Sequence, residues 1–537
     1  MKSLALFFAM LVCAVGLASA QDYIGRLDTV GGTTYDWWRN GCAVKSLANS
    51  PQFGVHAAWV YSTSTSGTTF PDRNVSYNYY DQSTRQWNWI DPDYMQSGVN
   101  VFTHRTGYGN LDADPGTGVA VIAGTGGGGS MLARDAAPGV GIFDYAGDST
   151  IGLSQWPLIA VGQNGTIHIF MMSAGYGLTY TRILPGFWPS FDSVRVIEPS
   201  PGFPTHNIAA SKVSGKVCLT WEMSTDVPQD GYMQTSTDNG DTWTESQQFL
   251  PPNAFGGDTV TSFHITSLDP WYDYEDRLHV VANVSPMVHD TTYVVPSQIW
   301  HWCPDNTPQW SRIHVATCRP EHMQASVGYN ATYADRPSIG EGNDGWLYVA
   351  WEQFDSSNVE PLTSRLRAGI WVSGSPDNGL SWTPGVLVTE RNTFSHRFPS
   401  IVDRMVSGEG PGDVLPVLYL MDSVAGFFVQ SEGPATLNPV VCQFIPTWQG
   451  VQEAPNAELR ATNVEPTIIR GVLFLAASGE KREARGELLD ISGRKVLNLQ
   501  PGANDVSRLA PGVYFVREAR AQAQAQAQAL HKVVLPE

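Results

Sequence analysis

The strongest constraint in this sequence is a short apolar segment that keeps returning. Val217-Cys218-Leu219-Thr220-Trp221-Glu222 and Leu347-Tyr348-Val349-Ala350-Trp351-Glu352 share one pattern, and each begins two residues after a glycine, Gly215 or Gly345. Residues 167–172 follow Gly165 in the same way, and weaker versions lie at 55–59, 278–283 and 417–422. The spacing is about 60 residues, with one double step between Trp59 and Met171. A missing member is therefore expected at 119–123, which brings the number of repeats to seven.

Residues 334–382 show what one repeat contains. An extended run at 336–339, a Gly-centred turn at Gly345 and the strand ending in Trp351 come first; a polar loop, a strand at 369–373 and a tight turn into Trp382 follow. That is most of a four-stranded antiparallel sheet, too small to bury a core alone, so the copies must cover one another. The composition agrees. Only 15% of residues are charged, while Gly (52), Trp (18) and Tyr (20) are abundant, which suits short strands and tight turns rather than a helical bundle. The expected fold is all-β: a seven-bladed β-propeller, with six to eight blades within the range of the spacing.

The tight turns carry a second motif. Ser236, Asp238, Gly240 and Trp243, and likewise Ser375, Asp377, Gly379 and Trp382, fit S-x-D-x-G-x-x-W at the same place in two repeats. The Asp carboxylate can accept backbone N–H groups across the turn, Gly supplies positive φ, and Trp packs beneath the hairpin. Residues 78–87 and 303–310 hold degenerate forms. These turns resemble the Asp-boxes of sialidase-like (BNR repeat) β-propellers.

In a propeller the inner strands begin on one face, and the loops between second and third strands rise on that face. The residues opening the inner strands are polar: Arg39-Asn40, His104-Arg105, Gln155-Trp156, His206-Asn207, His264, Asp335-Arg336 and His396-Arg397. His104, Arg105, His206, His264, Arg336, His396 and Arg397 are the candidate ligand-binding residues for an anionic or glycan ligand, since Arg pairs with carboxylates. The alternative is that polar groups beside a wet channel satisfy one another and water. His396-Arg397-Phe398-Pro399 resembles the F-R-I-P strand opening of sialidases, although it falls in the last repeat. Strand alternation predicts that Arg336 and Arg397 point different ways, and no Tyr/Glu nucleophile pair is found by motif. Glu222, Glu352 and Asp422 end the second strands at matching positions and are the candidate catalytic carboxylates for glycoside cleavage; the alternative is solvated strand ends.

Other segments yield less. Asp112-Ala113-Asp114-Pro115-Gly116 alternates oxygens like a Ca²⁺ loop, but Ala123 stands where the distal Glu belongs, so no metal site is expected. The loop Trp271-Tyr272-Asp273-Tyr274 either stacks sugars or caps a blade edge. Residues 124–129 lack the Lys-Ser/Thr of a phosphate loop, and no Ser-His-Asp signature or G-x-S-x-G appears. No cofactor is expected.

The ends of the chain concern address. Residues 1–20 read as a secretory signal: Lys2, an apolar run, then Ala18-Ser19-Ala20. No later segment is long and apolar enough for a membrane span. The formal net charge of −19 argues against nucleic acid. Export permits disulfides, and Cys42 with Cys442 is a candidate ring-closing pair, the alternative being buried thiols. After a linker at 451–460, residues 461–537 form a compact β pattern expected to be an Ig-like sandwich. Asp490, Gly493 and Arg494, then Gly512, Val513 and Tyr514, then Lys532 near the end resemble the C-terminal sorting domain of type IX secretion cargo. That resemblance implies the type IX translocon as partner and a secreted or cell-surface location, with 21–450 as the propeller. The expected function is a non-catalytic binding or interaction module with an extracellular glycan or protein ligand. A sialidase-like glycoside hydrolase acting on extracellular glycans is the alternative.

Overall fold

In the computed structural model the chain divides into two units, Met1–Gly450 and Val451–Glu537. The structure describes residues 23–447 except for 40–44, 148–153, 200–204, 223–230, most of 253–261, 407–413 and a few single positions; beyond 447 it describes mainly strand segments between 467 and 535. Residues 1–20, read above as a secretory signal, residues 451–460, read as a linker, and Cys42 lie outside the described residues.

The first unit is a seven-bladed β-propeller built from seven antiparallel sheets of four or five strands. The inner strands of blades 1 to 7 are Leu47–Ser50, Thr106–Ala113, Gln155–Val161, His206–Ala210, Ser262–Tyr272, Ala334–Glu341 and Ser395–Ile401. The recurring apolar segment is the second strand of each blade: Gly54–Tyr61, Ala120–Gly126, Ile167–Met172, Val217–Glu222, Leu278–Val288, Leu347–Glu360 and Val414–Asp422. Ala120–Gly126 is the member expected at 119–123. The repeat exists because neighbouring blades bury this strand. Trp59, Trp221 and Trp351 are each at most 1% exposed, and the Trp221 ring lies 6.4 Å from Phe170 of the preceding blade. Truncating such a Trp costs about 3–5 kcal/mol.

Blade 7 is completed from the far end of the sequence. Its first three strands, Ser395–Ile401, Val414–Asp422 and Asn438–Pro446, are joined by Arg26–Thr33 as the outermost strand, paired antiparallel to Asn438–Pro446. The ring is therefore closed by a strand and not by a disulfide: Cys442 is a free, buried thiol on Asn438–Pro446. Gly31 makes the closure fit, because a Cβ there would stand 2.1 Å from the Trp59 ring.

The two full turn motifs connect third and fourth strands in blades 4 and 6, on the face away from the inner-strand openings. Asp238 Oδ1 accepts from Ser236 Oγ at 2.8 Å and from Thr242 N at 2.8 Å, while Ser236 Oγ accepts from Gly240 N at 2.9 Å. Asp377, Ser375, Ser381 and Gly379 repeat this arrangement. Gly240 and Gly379 have φ of +85° and +81°. A side chain at Gly379 would also run into the His301 ring. Trp243 Nε1 donates to Gly240 O at 3.0 Å, whereas Trp382 Nε1 reaches across to Ser311 Oγ of blade 5 at 3.0 Å. The motif is thus a staple at the blade ends opposite the inner-strand openings.

The axis is plugged below by charges. Lys45 Nζ lies 3.0 Å from both Asp112 Oδ1 and Asp403 Oδ2, and Lys212 Nζ lies 2.8 Å from Asp112 Oδ2. Lys212 also donates to the carbonyls of Ala113 and Val161. Beside them is a cavity of about 30 Å³ lined from all seven blades, by Asn110, Ile159, Asn207, Asp269, Ser338 and Ile401 among others, with room for one or two waters. Burial pushes the Asp269 carboxyl up to about 7.

In the second unit, one sheet is ordered Thr467–Ile468, Leu530–Leu535, Gly512–Ala519, Arg485–Asp490, Lys495–Leu499, and Val472–Leu475 pairs with Gly502–Asp505. Leu488, Leu499, Val506 and Tyr514 form its buried cluster. Of the residues that resemble a sorting motif, Asp490, Gly512, Val513, Tyr514 and Lys532 lie on these strands and Arg494 is exposed just before one; Gly493 lies outside the described residues.

Candidate functional site

The site is set by a defect repeated at the inner-strand openings. In blades 2, 3, 6 and 7 the ladder to the second strand skips between Gly107 and Asn110, Gln155 and Leu158, Asp335 and Ser338, and Arg397 and Ser400. Each time the inner strand carries one extra residue. The bulged residues Tyr108, Trp156, Arg336 and Phe398 all have positive φ, between +51° and +58°. The next residue is Gly109, Pro157, Pro337 or Pro399; a proline has no N–H to give the ladder and favours such a bulge. Arg336 is itself the bulged residue of blade 6, whereas Arg397 stands one place before the bulged Phe398 of blade 7, so the two occupy different strand positions.

Arg336 and Arg397 converge on one carboxylate. Glu352 Oε1 accepts from Arg336 Nη1 at 2.5 Å and from Arg397 Nη2 at 3.0 Å, and Oε2 accepts from Phe398 N at 2.7 Å. Burial pushes the Glu352 carboxyl up, but the two guanidiniums and this N–H outweigh it and hold it below its ordinary value. Asp335 also touches Arg336, at 3.3 Å, and burial raises its carboxyl to about 6. The guanidiniums are roofed: Arg397 Cζ lies 4.6 Å from the Phe427 ring and 4.8 Å from Phe354, and Arg336 Cζ lies 4.9 Å from Phe398, on which Trp38 stacks. Both arginines are at most 2% exposed. Their charge is used inside the fold.

The other two carboxylates have different company. Asp422 is buried near Asp36; burial and that like charge raise its carboxyl well above the ordinary value. Asp36 ties the 428–430 turn down, accepting from Phe428 N and Val429 N, and burial pushes its carboxyl up to about 7. Glu222 belongs with blade 5, where its Oε2 lies 3.2 Å from His264 Nε2. The structure thus groups Glu352 and Asp422 around Arg397 and leaves Glu222 with His264. His206 reaches Trp156 O at 3.0 Å. His396 is in the core, 5.5 Å from the Tyr419 ring, where burial lowers its pKa to about 4. His104 and Arg105 are exposed.

Sequence reasoning missed a run of aromatic rings at the mouth. Tyr108 lies 6.5 Å from Trp37, which lies 5.6 Å from Tyr329, both edge-on. Tyr108 and Trp37 are half-buried and Tyr329 is 45% exposed. Arg73 Cζ is 4.9 Å from the Tyr108 ring on the other side. The usable signal was the residue before Gly109, aligned with those before three prolines.

Other candidate segments resolve simply. Asp112 belongs to the axial lysines, and Asp114 closes its own turn by accepting from Gly116 N at 2.8 Å. Trp271, Tyr272 and Asp273 are buried at the opposite end of the blade 5 inner strand, so that loop caps a blade edge. Among the described residues no cluster of three or more His, Cys, Asp or Glu could hold a metal ion, and no helix is long and apolar enough to cross a membrane.

No family model matches the chain, and no curated protein does. Among solved structures, an ulvan lyase of a polysaccharide lyase family is similar at 11% identity and a TM-score of 0.46, over 78% of this chain and 96% of that one. The NanB sialidase from Streptococcus pneumoniae is similar at 10% and 0.39, over 79% and 70%. A six-bladed fungal lectin, aleuria aurantia lectin, is similar at 11% and 0.34, over 59% and 88%. All are distant likenesses; the blade count here rests on the strand pairing itself.

Proposed function

We propose that this protein is an exported glycan-binding propeller, and that its ligand lies on the rings of Tyr108, Trp37 and Tyr329. The observation that carries the reading is the continuous half-exposed aromatic run on the face where the inner strands begin. Flat rings give large contact area at low entropic cost. Tyr108 is held there by a left-handed backbone, a cost that proteins concentrate at functional positions. A non-catalytic role is favoured because glycoside cleavage needs two opposed carboxyl groups, whereas Glu352 is clamped by arginines and Asp422 is sealed beside Asp36. Glu222 beside His264 is the observation that favours a hydrolase as the second reading.

Affinity electrophoresis against neutral and acidic polysaccharides tests the platform. Tyr108→Ala and Trp37→Ala are expected to weaken binding roughly tenfold or more while the melting curve holds. Unchanged retardation in both variants would remove the platform. Release of fluorophore from fluorogenic glycosides, abolished by Glu222→Gln, would establish the hydrolase instead.

The export reading rests on residues 1–20 and on the order of Asp490, Arg494, Gly512 and Lys532 near the end of the chain. Expression in a host with a type IX translocon is expected to give extracellular protein beginning at Gln21. Deletion of 461–537 should leave it in the periplasm. Equal secretion of the truncated chain would sink the assignment.

A further inference from the structure

The buried arginines of the propeller are not all served alike. Arg336, Arg397 and Arg367 each touch a carboxylate. Arg73 does not. It is 8% exposed and its Nη1 donates to Tyr35 Oη at 3.2 Å. The Tyr35 phenol is not a hidden counter-ion, since burial raises its pKa and keeps it protonated. Flanking rings of Tyr35 and Tyr108, at 5.4 and 4.9 Å, recover part of the lost hydration through cation–π attraction. An unpaired buried cation remains costly beyond that.

A second cation stands beside it. Thr106 N donates to Arg73 O at 3.0 Å, which places Arg105 next to Arg73 across the blade 1–blade 2 boundary. Arg105 is exposed and anchored by the carbonyls of Thr69 and Phe70. These are neutral acceptors, and among the described residues no carboxylate is paired with either arginine. Burial and then repulsion by Arg73 lower the Arg105 pKa, so the two charges feel each other. Room for this pairing is kept by Gly107, where a Cβ would stand 2.6 Å from Arg73 Nε. In a chain of net charge −19, two adjacent cations without an acid are a missing-anion arrangement.

We propose that Arg73 and Arg105 form an anion subsite that takes a carboxylate or sulfate group of an acidic glycan, whose neighbouring ring lies on Tyr108 and Trp37. This rests on the glycan-binding reading and adds charge selectivity to it. Guanidinium pairs with such groups by charge-assisted, often bidentate hydrogen bonds, and Tyr108 is shared between the cation and the aromatic run.

Titration calorimetry of the full chain with polygalacturonate, dextran sulfate and uncharged dextran tests it. Either or both charged polymers should bind more tightly than dextran, with affinity falling as salt rises, and the stronger of the two identifies the group. Arg105→Gln, at an exposed position, should weaken the charged polymers roughly ten- to a hundredfold and leave dextran unchanged. Arg73→Met should do the same; since Arg73 is buried, its melting curve is measured alongside, and Arg105→Gln decides if that variant is unfolded. Dextran binding as tightly as the charged polymers, or Arg105→Gln without effect on them, overturns the subsite and leaves the platform standing. No binding of any polymer by a folded wild type overturns both.

Discussion

Replacing Glu352 with alanine lowers the stability of the propeller by about 3–5 kcal/mol, the cost of stranding buried charge. Glu352 is fully buried and is the shared acceptor of Arg336, Arg397 and Phe398 N. Removal leaves two guanidiniums under aromatic rings, with Asp335 still 3.3 Å from Arg336. Glu352→Gln keeps the shape but not the charge, and should lose most of the same amount. The measurement is the shift in denaturant midpoint at unchanged slope. A quadruple variant, Glu352→Leu with Arg336→Met, Arg397→Met and Asp335→Asn, should recover much of the loss, because removing a whole buried ion cluster is often near neutral. A fall of less than about 1 kcal/mol for Glu352→Ala would mean the cluster is solvated and would reopen Glu352 as a catalytic group.

Asp112→Asn should cost a similar amount through the axis. Asp112 takes Lys45, Lys212, Val161 N and Ala113 N at once. Without its charge, Lys45 keeps Asp403, and Lys212, whose pKa burial already lowers, keeps the Ala113 and Val161 carbonyls and the charge of Asp403. About 3–5 kcal/mol is again expected, a large part of the 5–15 kcal/mol typical of a whole domain. The loss has a pH signature. Burial alone would raise the Asp112 carboxyl, but the two lysines hold it well below its ordinary value. Its contribution is therefore fully present above about pH 4, the unfolded value, and drains away as pH falls toward the lower folded one. Wild type and Asp112→Asn should differ most near neutrality and converge as pH is lowered from about 5 to 3. A constant gap across that range would contradict the assignment of the charge to Asp112.

Much of the wheel was legible because its signal is burial. Trp59, Trp221 and Trp351 recur since each fills the gap between two blades, and the same rule located Ala120–Gly126, a strand with no Trp at all. Closure by Arg26–Thr33 was not legible, since an edge strand whose partners lie 405 to 418 positions away (Thr33 with Asn438, Arg26 with Phe444) leaves no local mark. The meeting of Arg336 and Arg397 on Glu352 was not legible, because alternation describes directions within one strand, while these two come from neighbouring blades, one at a bulge and one just before it. Tyr108, at the matching bulge of blade 2, is not among the polar residues that open the strands. His396, by contrast, reads like its polar neighbours but falls on the core side of the bulge.

The borrowed outer strand of blade 7 also sets an order of events in time. Arg26–Thr33 is among the earliest parts of the propeller to leave the ribosome, yet its partner Asn438–Pro446 is among the last. At about 5–20 residues per second, the interval between them is roughly 20–80 seconds. Throughout that wait one β edge has nothing to pair with, and only the finished chain can shield it.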